Sequence, residues 1–131
     1  MKTYFNYSSL CKIIFTLFFL LLINVAEAKC TIEGKAKYRK DYGWSQYYSV
    51  EISFLSGHEL NQATKTYDYD SYSVYAVIFW GEGEATVIKV SSTTLCGLEV
   101  KPDCIKNHLG NLEGEDGQGI GWQICLSGFC F

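Results

Sequence analysis

The chain has 131 residues, six cysteines, ten tyrosines and a formal net charge of −3 at pH 7. This length accommodates one domain, because globular domains most often contain about 100–150 residues. A mildly acidic chain does not attract nucleic-acid phosphates or an anionic membrane surface, so neither is an expected partner.

Residues 1–28 have the three-part layout of a secretory signal peptide. Lys2 and Lys12 provide positive charge before the apolar run Ile13 to Val25, and Ala26-Glu27-Ala28 places small residues at the cleavage site. A membrane-spanning helix needs about 20 apolar residues, and this run is shorter. We therefore expect cleavage after Ala28 and no stable membrane anchor. The mature product is then one periplasmic or secreted domain, residues 29–131, with a net charge of about −4.

Five cysteines remain in the mature domain, and export favours their oxidation to disulfides. They are Cys30, Cys96, Cys104, Cys125 and Cys130. Cys96 and Cys104 enclose a short loop around Pro102 and form the favoured pair. A second bridge is expected to join the mature N-terminus to the last strand, which pairs Cys30 with Cys125 or Cys130. The odd cysteine is either a buried free thiol or the link of a disulfide-bonded dimer.

The first half of the mature chain contains two short β-like segments. Thr31 to Tyr38 comes first and ends before the turn Asp41-Tyr42-Gly43. Residues 48–54 then alternate apolar and polar side chains, which predicts a strand with one face in water. Glu59 to Thr64 has weak helical character but is too short to predict a helix by itself.

Two hairpins carry most of the β prediction. In residues 74–90 an apolar run predicts a strand buried on both faces, followed by the turn Gly81-Glu82-Gly83-Glu84 and a partner strand. Residues 112–126 contain a glycine-dense loop at 115–119 between two further strands. Pro102 argues against a central strand in residues 96–108. The prediction is an all-β fold: a small, disulfide-stapled antiparallel sandwich or barrel of six to seven strands.

No motif for catalysis, metal binding or a cofactor stands out, so we expect no enzyme, metal site or cofactor. His58 and His108 lie in predicted loops without a nucleophile signature nearby. Acidic residues leave one alternative open. Asp68 and Asp70 would share a face of a strand, and Glu113, Glu115 and Asp116 crowd the late loop. Paired carboxylates of this kind could serve a secreted polysaccharide hydrolase.

Aromatic side chains suggest a binding surface, since tyrosine and tryptophan concentrate at interfaces. The candidate binding residues are Tyr42, Trp44, Tyr47, Tyr67 and Tyr69. Trp44, beside a turn, is expected to be more exposed than Trp80 or Trp122.

The basic residues Lys35, Lys37 and Arg39 alternate and share one face of the first strand. The favoured explanation is an edge strand protected from aggregation by its lysines. The other is a basic patch that docks an acidic partner.

The leading hypothesis is a small, exported, non-enzymatic protein that recognises another envelope or secreted protein, as an inhibitor or immunity-type protein does. The alternatives are the hydrolase and a glycan-binding module.

Overall fold

A computed structural model describes residues 30–91, 96–106, 111–126 and 130. The expected signal peptide and His108 lie outside this part of the chain. The elements are β1 (Thr31–Lys40), β2 (Gly43–Trp44), β3 (Tyr48–Ser56), α1 (Gly57–Thr64), β4 (Val74–Gly81), β5 (Glu84–Val90), α2 (Pro102–Lys106), β6 (Leu112–Asp116) and β7 (Gly121–Cys125).

The sheet closes into a barrel. Its strand order is β2-β1-β3-β4-β5-β6-β7, and β7 pairs back to β1. All pairings are antiparallel. Six strands form the closed barrel, and the two-residue strand β2 pairs with the last two residues of β1. The all-β prediction is confirmed, and the fold is the barrel rather than the sandwich.

The strands are strongly tilted. Cross-strand partners can be followed around the barrel from Cys30, just before β1, to Phe54, Ala76 and one residue of each later strand. This row of partners returns to β1 at Lys40, ten residues after Cys30. A stagger of this size obliges the strands to cross the barrel axis steeply. Residues near the end of β1 and the end of β5 therefore lie in one row across the outer surface.

Inward-facing side chains fill the barrel. Its core includes Ile52, Phe54, Ile78, Ile88 and Ile124, all fully or almost fully buried. Each side chain of this kind stabilises the fold by about 1.5–3 kcal/mol through removal of apolar surface from water.

One end of the barrel, the cap end, is where β1 begins and β3 ends. Val100 and Ile105 of the 96–106 segment are buried against the core there. Pro102 begins the short helix α2 in this segment, which is consistent with the predicted absence of a strand.

Four aromatic rings occupy the other end, the hairpin end, where the β4–β5 and β6–β7 hairpins turn. Tyr38 contacts Tyr48 at 6.2 Å between ring centroids, and Tyr48 contacts Trp80 at 5.9 Å. Trp122 completes the cycle, 6.2 Å from Trp80 and 5.3 Å from Tyr38. Trp122 is 6% exposed, as expected, but Trp80 is 40% exposed against 39% for Trp44. The expectation that Trp80 is better buried than Trp44 is wrong, because Trp80 lies at the rim.

Residues 57–64 form helix α1, which the sequence pattern did not predict. Ser56 and Glu59 make a capping box: the Ser56 hydroxyl accepts from the Glu59 amide at 3.1 Å, and the Glu59 carboxylate accepts from the Ser56 amide at 2.8 Å. Leu60 packs with Leu55, Tyr75 and other side chains in a second apolar cluster on the outside of β3 and β4. Capping and packing together stabilise a helix that is too short to persist alone.

The two disulfides are Cys96–Cys104 and Cys125–Cys130. The first was predicted. The predicted bridge from Cys30 to the last strand is wrong, because Cys30 faces the core while Cys125 faces outward on β7. Cys30 is a free thiol, 2% exposed, and burial raises the pKa of that thiol.

Two smaller predictions are also corrected. β1 is not an edge strand, because it pairs with β3 and β2 on one side and with β7 on the other. Residues 65–73 form a loop, so Asp68 and Asp70 do not share a strand face. Among the described residues, no helix is long and apolar enough to cross a membrane.

Candidate functional site

The β1–β2 hairpin presents the most exposed aromatic side chain of this region. Lys40 pairs with Gly43, so Asp41 and Tyr42 form a two-residue turn. Gly43 has a φ of 93°, a backbone conformation that glycine adopts without steric cost. Tyr42 is 99% exposed and buries almost nothing within the domain.

Ser45 anchors the chain that leaves this hairpin. Its amide donates to the Tyr38 carbonyl at 2.9 Å, and its hydroxyl accepts from the Tyr38 amide at 3.0 Å. The hydroxyl also donates to the Gln46 carbonyl at 2.8 Å. The buried Ser45 thus fixes Trp44 and the following residues against β1.

Basic and aromatic side chains contact each other on the outer face of β1. The ammonium of Lys37 lies 4.6 Å from the Tyr47 ring centroid and 5.2 Å from that of Trp44. The Arg39 guanidinium carbon is 5.5 Å from the Trp44 centroid. We call Lys37, Arg39, Trp44 and Tyr47 the basic–aromatic patch. Cation–π contacts at exposed sites contribute about 0.5–1 kcal/mol each and restrict the otherwise mobile Lys and Arg side chains.

A groove of about 820 Å³ lies beside this patch. Arg39, Lys40 and Trp44 line one side, and Glu113 and Glu115 of β6 line the other. This volume falls in the range of roughly 300–1,000 Å³ seen for ligand clefts in proteins.

The floor of the groove includes Gly121. The pairing of β1 with β7 and of β7 with β6 places it between Arg39 and Glu115. Lys89 of β5 follows Glu115 in the same row. Lys89 lies 3.8 Å from the Asp70 carboxylate, so an acidic neighbour already accompanies its charge.

The remaining predicted aromatics lie near the cap end, in the loop before β4. The structure therefore does not join them to the basic–aromatic patch. Tyr67 is 98% exposed. Tyr69 instead packs edge-on against Tyr75, with ring centroids 5.2 Å apart. The Asn61 side chain accepts from the Tyr69 amide and donates to the Tyr69 carbonyl. Packing and hydrogen bonding account for the position of Tyr69 without a ligand.

Two of the predicted acidic residues hold turns. Asp70 accepts from the Ser73 hydroxyl at 2.8 Å, and this bond, followed by one from the Tyr72 amide, lowers the pKa of Asp70. Asp116 accepts from the amides of Gln118 and Ile120 and from the Trp122 indole. Both carboxylates thus have a structural role in the loops that carry them.

Within the described part of the chain, no group of three or more His, Cys, Asp or Glu side chains is placed to hold a metal ion. The comparisons with known proteins give no counterpart. No family model, curated protein or solved structure matches this chain.

Sequence reasoning identified the aromatic members of the patch and its two basic residues separately, but not their contact. It missed the groove entirely, because Arg39, Glu115 and Lys89 come from three distant strands. Gly121, the first residue of β7, is a local signal that could have indicated it.

Proposed function

We propose that this chain is an exported, non-enzymatic binding protein that recognises an acidic surface of another secreted or envelope protein. Recognition occurs through the basic–aromatic patch and Tyr42, in the manner of an inhibitor or immunity-type protein. The signal-like residues 1–28 and the two disulfides, which are typical of oxidising compartments, support a periplasmic or secreted location.

The observation that carries this proposal is the packing of Lys37 against both Trp44 and Tyr47. A lysine held by two rings loses less side-chain entropy on binding than a mobile one, which favours affinity. The rings rest on a closed barrel, so the surface is rigid before a partner arrives. Trp, Tyr and Arg are also the residues that most often dominate the energetics of protein interfaces.

The charge distribution indicates the partner's character. The patch places positive charge on one face of a chain whose formal net charge is −3. Such a local field speeds and orients the approach of an acidic surface and repels basic ones. The buried Cys30 thiol takes no part in this recognition, because the core shields it from a second chain.

The test compares one pair of exposed aromatic residues with a single exposed tyrosine elsewhere on the barrel. The exported protein, immobilised on resin, is used to capture partners from an extract of envelope and secreted proteins. Capture should be lost in the double variant Tyr42→Ala/Trp44→Ala and weakened by added salt. It should persist in Tyr67→Ala, which removes an equally exposed tyrosine at the other end.

The opposite pattern, with capture lost only in Tyr67→Ala, would place the binding surface on the loop before β4. Circular dichroism of each variant verifies that the barrel is intact. Specific binding of neutral oligosaccharides by the wild-type protein, with no protein captured, would favour the glycan-binding alternative.

A further inference from the structure

Gly121 is a glycine that the fold itself does not require. It is absent from the residues with positive φ, so its backbone suits any side chain. A Cβ atom placed on it would have its nearest neighbour, the Cβ of Arg39, at 3.9 Å, which is ordinary contact. Gly114 differs, because a Cβ there would collide with the carbonyl of Lys89. Internal packing thus explains Gly114 but not Gly121.

The missing side chain at position 121 opens the groove. Neighbouring strands lie about 4.8 Å apart, so Arg39 and Glu115, on either side of β7, are separated by roughly 10 Å across the glycine. A side chain at position 121 would project outward between them. Gly121 begins β7, and a glycine in a strand often marks a place where a ligand or another backbone comes close.

The two walls of the groove carry opposite charge. Arg39 and Lys40 are basic, while Glu113 and Glu115 are acidic. The main chain of β1, β7 and β6 is already paired within the barrel, so a ligand must be recognised by side chains. A purely acidic ligand would be repelled by the glutamate wall. An extended peptide meets both walls, because its successive side chains point to opposite sides.

We propose that the groove binds an extended segment of the partner protein. Acidic side chains of that segment face Arg39 and Lys40, basic ones face Glu113 and Glu115, and its main chain passes over Gly121. This inference rests on the proposed function and specifies the part of the partner that the site receives.

The test uses a displayed library of random nine-residue peptides, selected for binding to the exported protein in oxidised form. Enriched peptides should alternate acidic and basic residues. Their affinity should fall at least tenfold in Gly121→Leu. It should change less than twofold in Gly117→Leu, the matched control, because a Cβ at Gly117 meets only open space in the turn of the same hairpin.

Three results would overturn the inference: no enrichment, enrichment of uncharged peptides, or unchanged affinity in Gly121→Leu. The proposed function can fail separately. Peptides that bind Gly121→Leu normally but lose affinity for Trp44→Ala would retain the basic–aromatic patch as the binding surface and exclude the groove. A wild-type protein that dimerises through this face, with dimers lost in Gly121→Leu, would show that the occupant is a second copy, contrary to the inference.

Discussion

Asp116 provides the sharpest test of how the β6–β7 turn is held beside the groove. One carboxylate oxygen accepts from the Gln118 amide at 2.9 Å and from the Ile120 amide at 3.0 Å. The other accepts from the Trp122 indole nitrogen at 2.9 Å. Asp116→Ala removes both acceptor oxygens and so all three hydrogen bonds, and it leaves the indole N–H of Trp122 at the hairpin end without its partner.

The expected loss of stability follows from the burial of each donor. The Gln118 amide is exposed and can bond to water, so its contribution is small. The Ile120 amide and the Trp122 indole are partly buried, and each unsatisfied donor of this kind costs about 1–3 kcal/mol. Both donors keep some access to water, so each falls in the lower part of this range, and Asp116→Ala should lower the free energy of unfolding by about 2–4 kcal/mol. Asp116→Asn should lose about 1–2 kcal/mol, because its amide group turns a donor toward the indole donor.

Urea unfolding followed by tryptophan fluorescence measures this loss, and the indole proton resonance of Trp122 reports its hydrogen bond directly. Glu115→Ala is the matched control, since Glu115 is the exposed neighbour on the same strand and should change stability by less than about 0.5 kcal/mol. A loss in Asp116→Ala no larger than that of Glu115→Ala would refute the assigned role of the carboxylate.

Three further predictions concern other parts of the barrel. Cys30 should not react with a thiol reagent in the native protein and should react as one free thiol after unfolding, because burial raises its pKa and blocks access. The hydrogen bond from Ser73 lowers the pKa of Asp70, so the ionised carboxylate stabilises the folded state. This contribution should be present above the ordinary pKa of 3.8 and be lost as the pH falls through the lower pKa of the folded protein. Asp70→Asn should remove this acid dependence, measured as melting temperature between pH 5 and pH 2. Leu60→Ala should cost about 2–3 kcal/mol in urea unfolding by weakening the docking of α1, with loss of helical signal before the barrel unfolds.

The hairpins could be predicted because their signals are local. In residues 74–90 an apolar run, a Gly-Glu-Gly-Glu turn and a second apolar run lie next to each other in the sequence. The observed ladder pairs Val74 with Val90 and Gly81 with Glu84, as that pattern requires. Helix α1 also has a local signal that could have predicted its start, the Ser56-x-x-Glu59 capping box. Its stabilising contacts with Leu55 and Tyr75 are tertiary.

Long-range closure could not be predicted. Whether β1 is an edge depends on its pairing with β7, more than 80 residues later in the chain. The second disulfide could not be predicted for the same reason. Two cysteines at one end of a sheet can still lie on opposite faces of it. Cys30 lies an even number of residues from the inward-facing Ala36, so it also points inward. Cys125 lies two residues from the outward-facing Gln123, so it also points outward. Once the barrel closes, the two side chains lie on opposite faces of the sheet, which excludes a disulfide between them.

The stagger of the barrel explains why the groove has no continuous sequence signature. Because each circuit advances ten residues along β1, the row that contains Arg39 crosses Gly121 and Glu115 and reaches Lys89 near the end of β5. Lys89 lies 3.8 Å from the Asp70 carboxylate, and the basic wall of Arg39 and Lys40 lies on the β1 side, next to Trp44. The fold thereby brings the aromatic rings, the basic wall and the glycine floor to one place, so a partner that bound the proposed patch would also contact the groove.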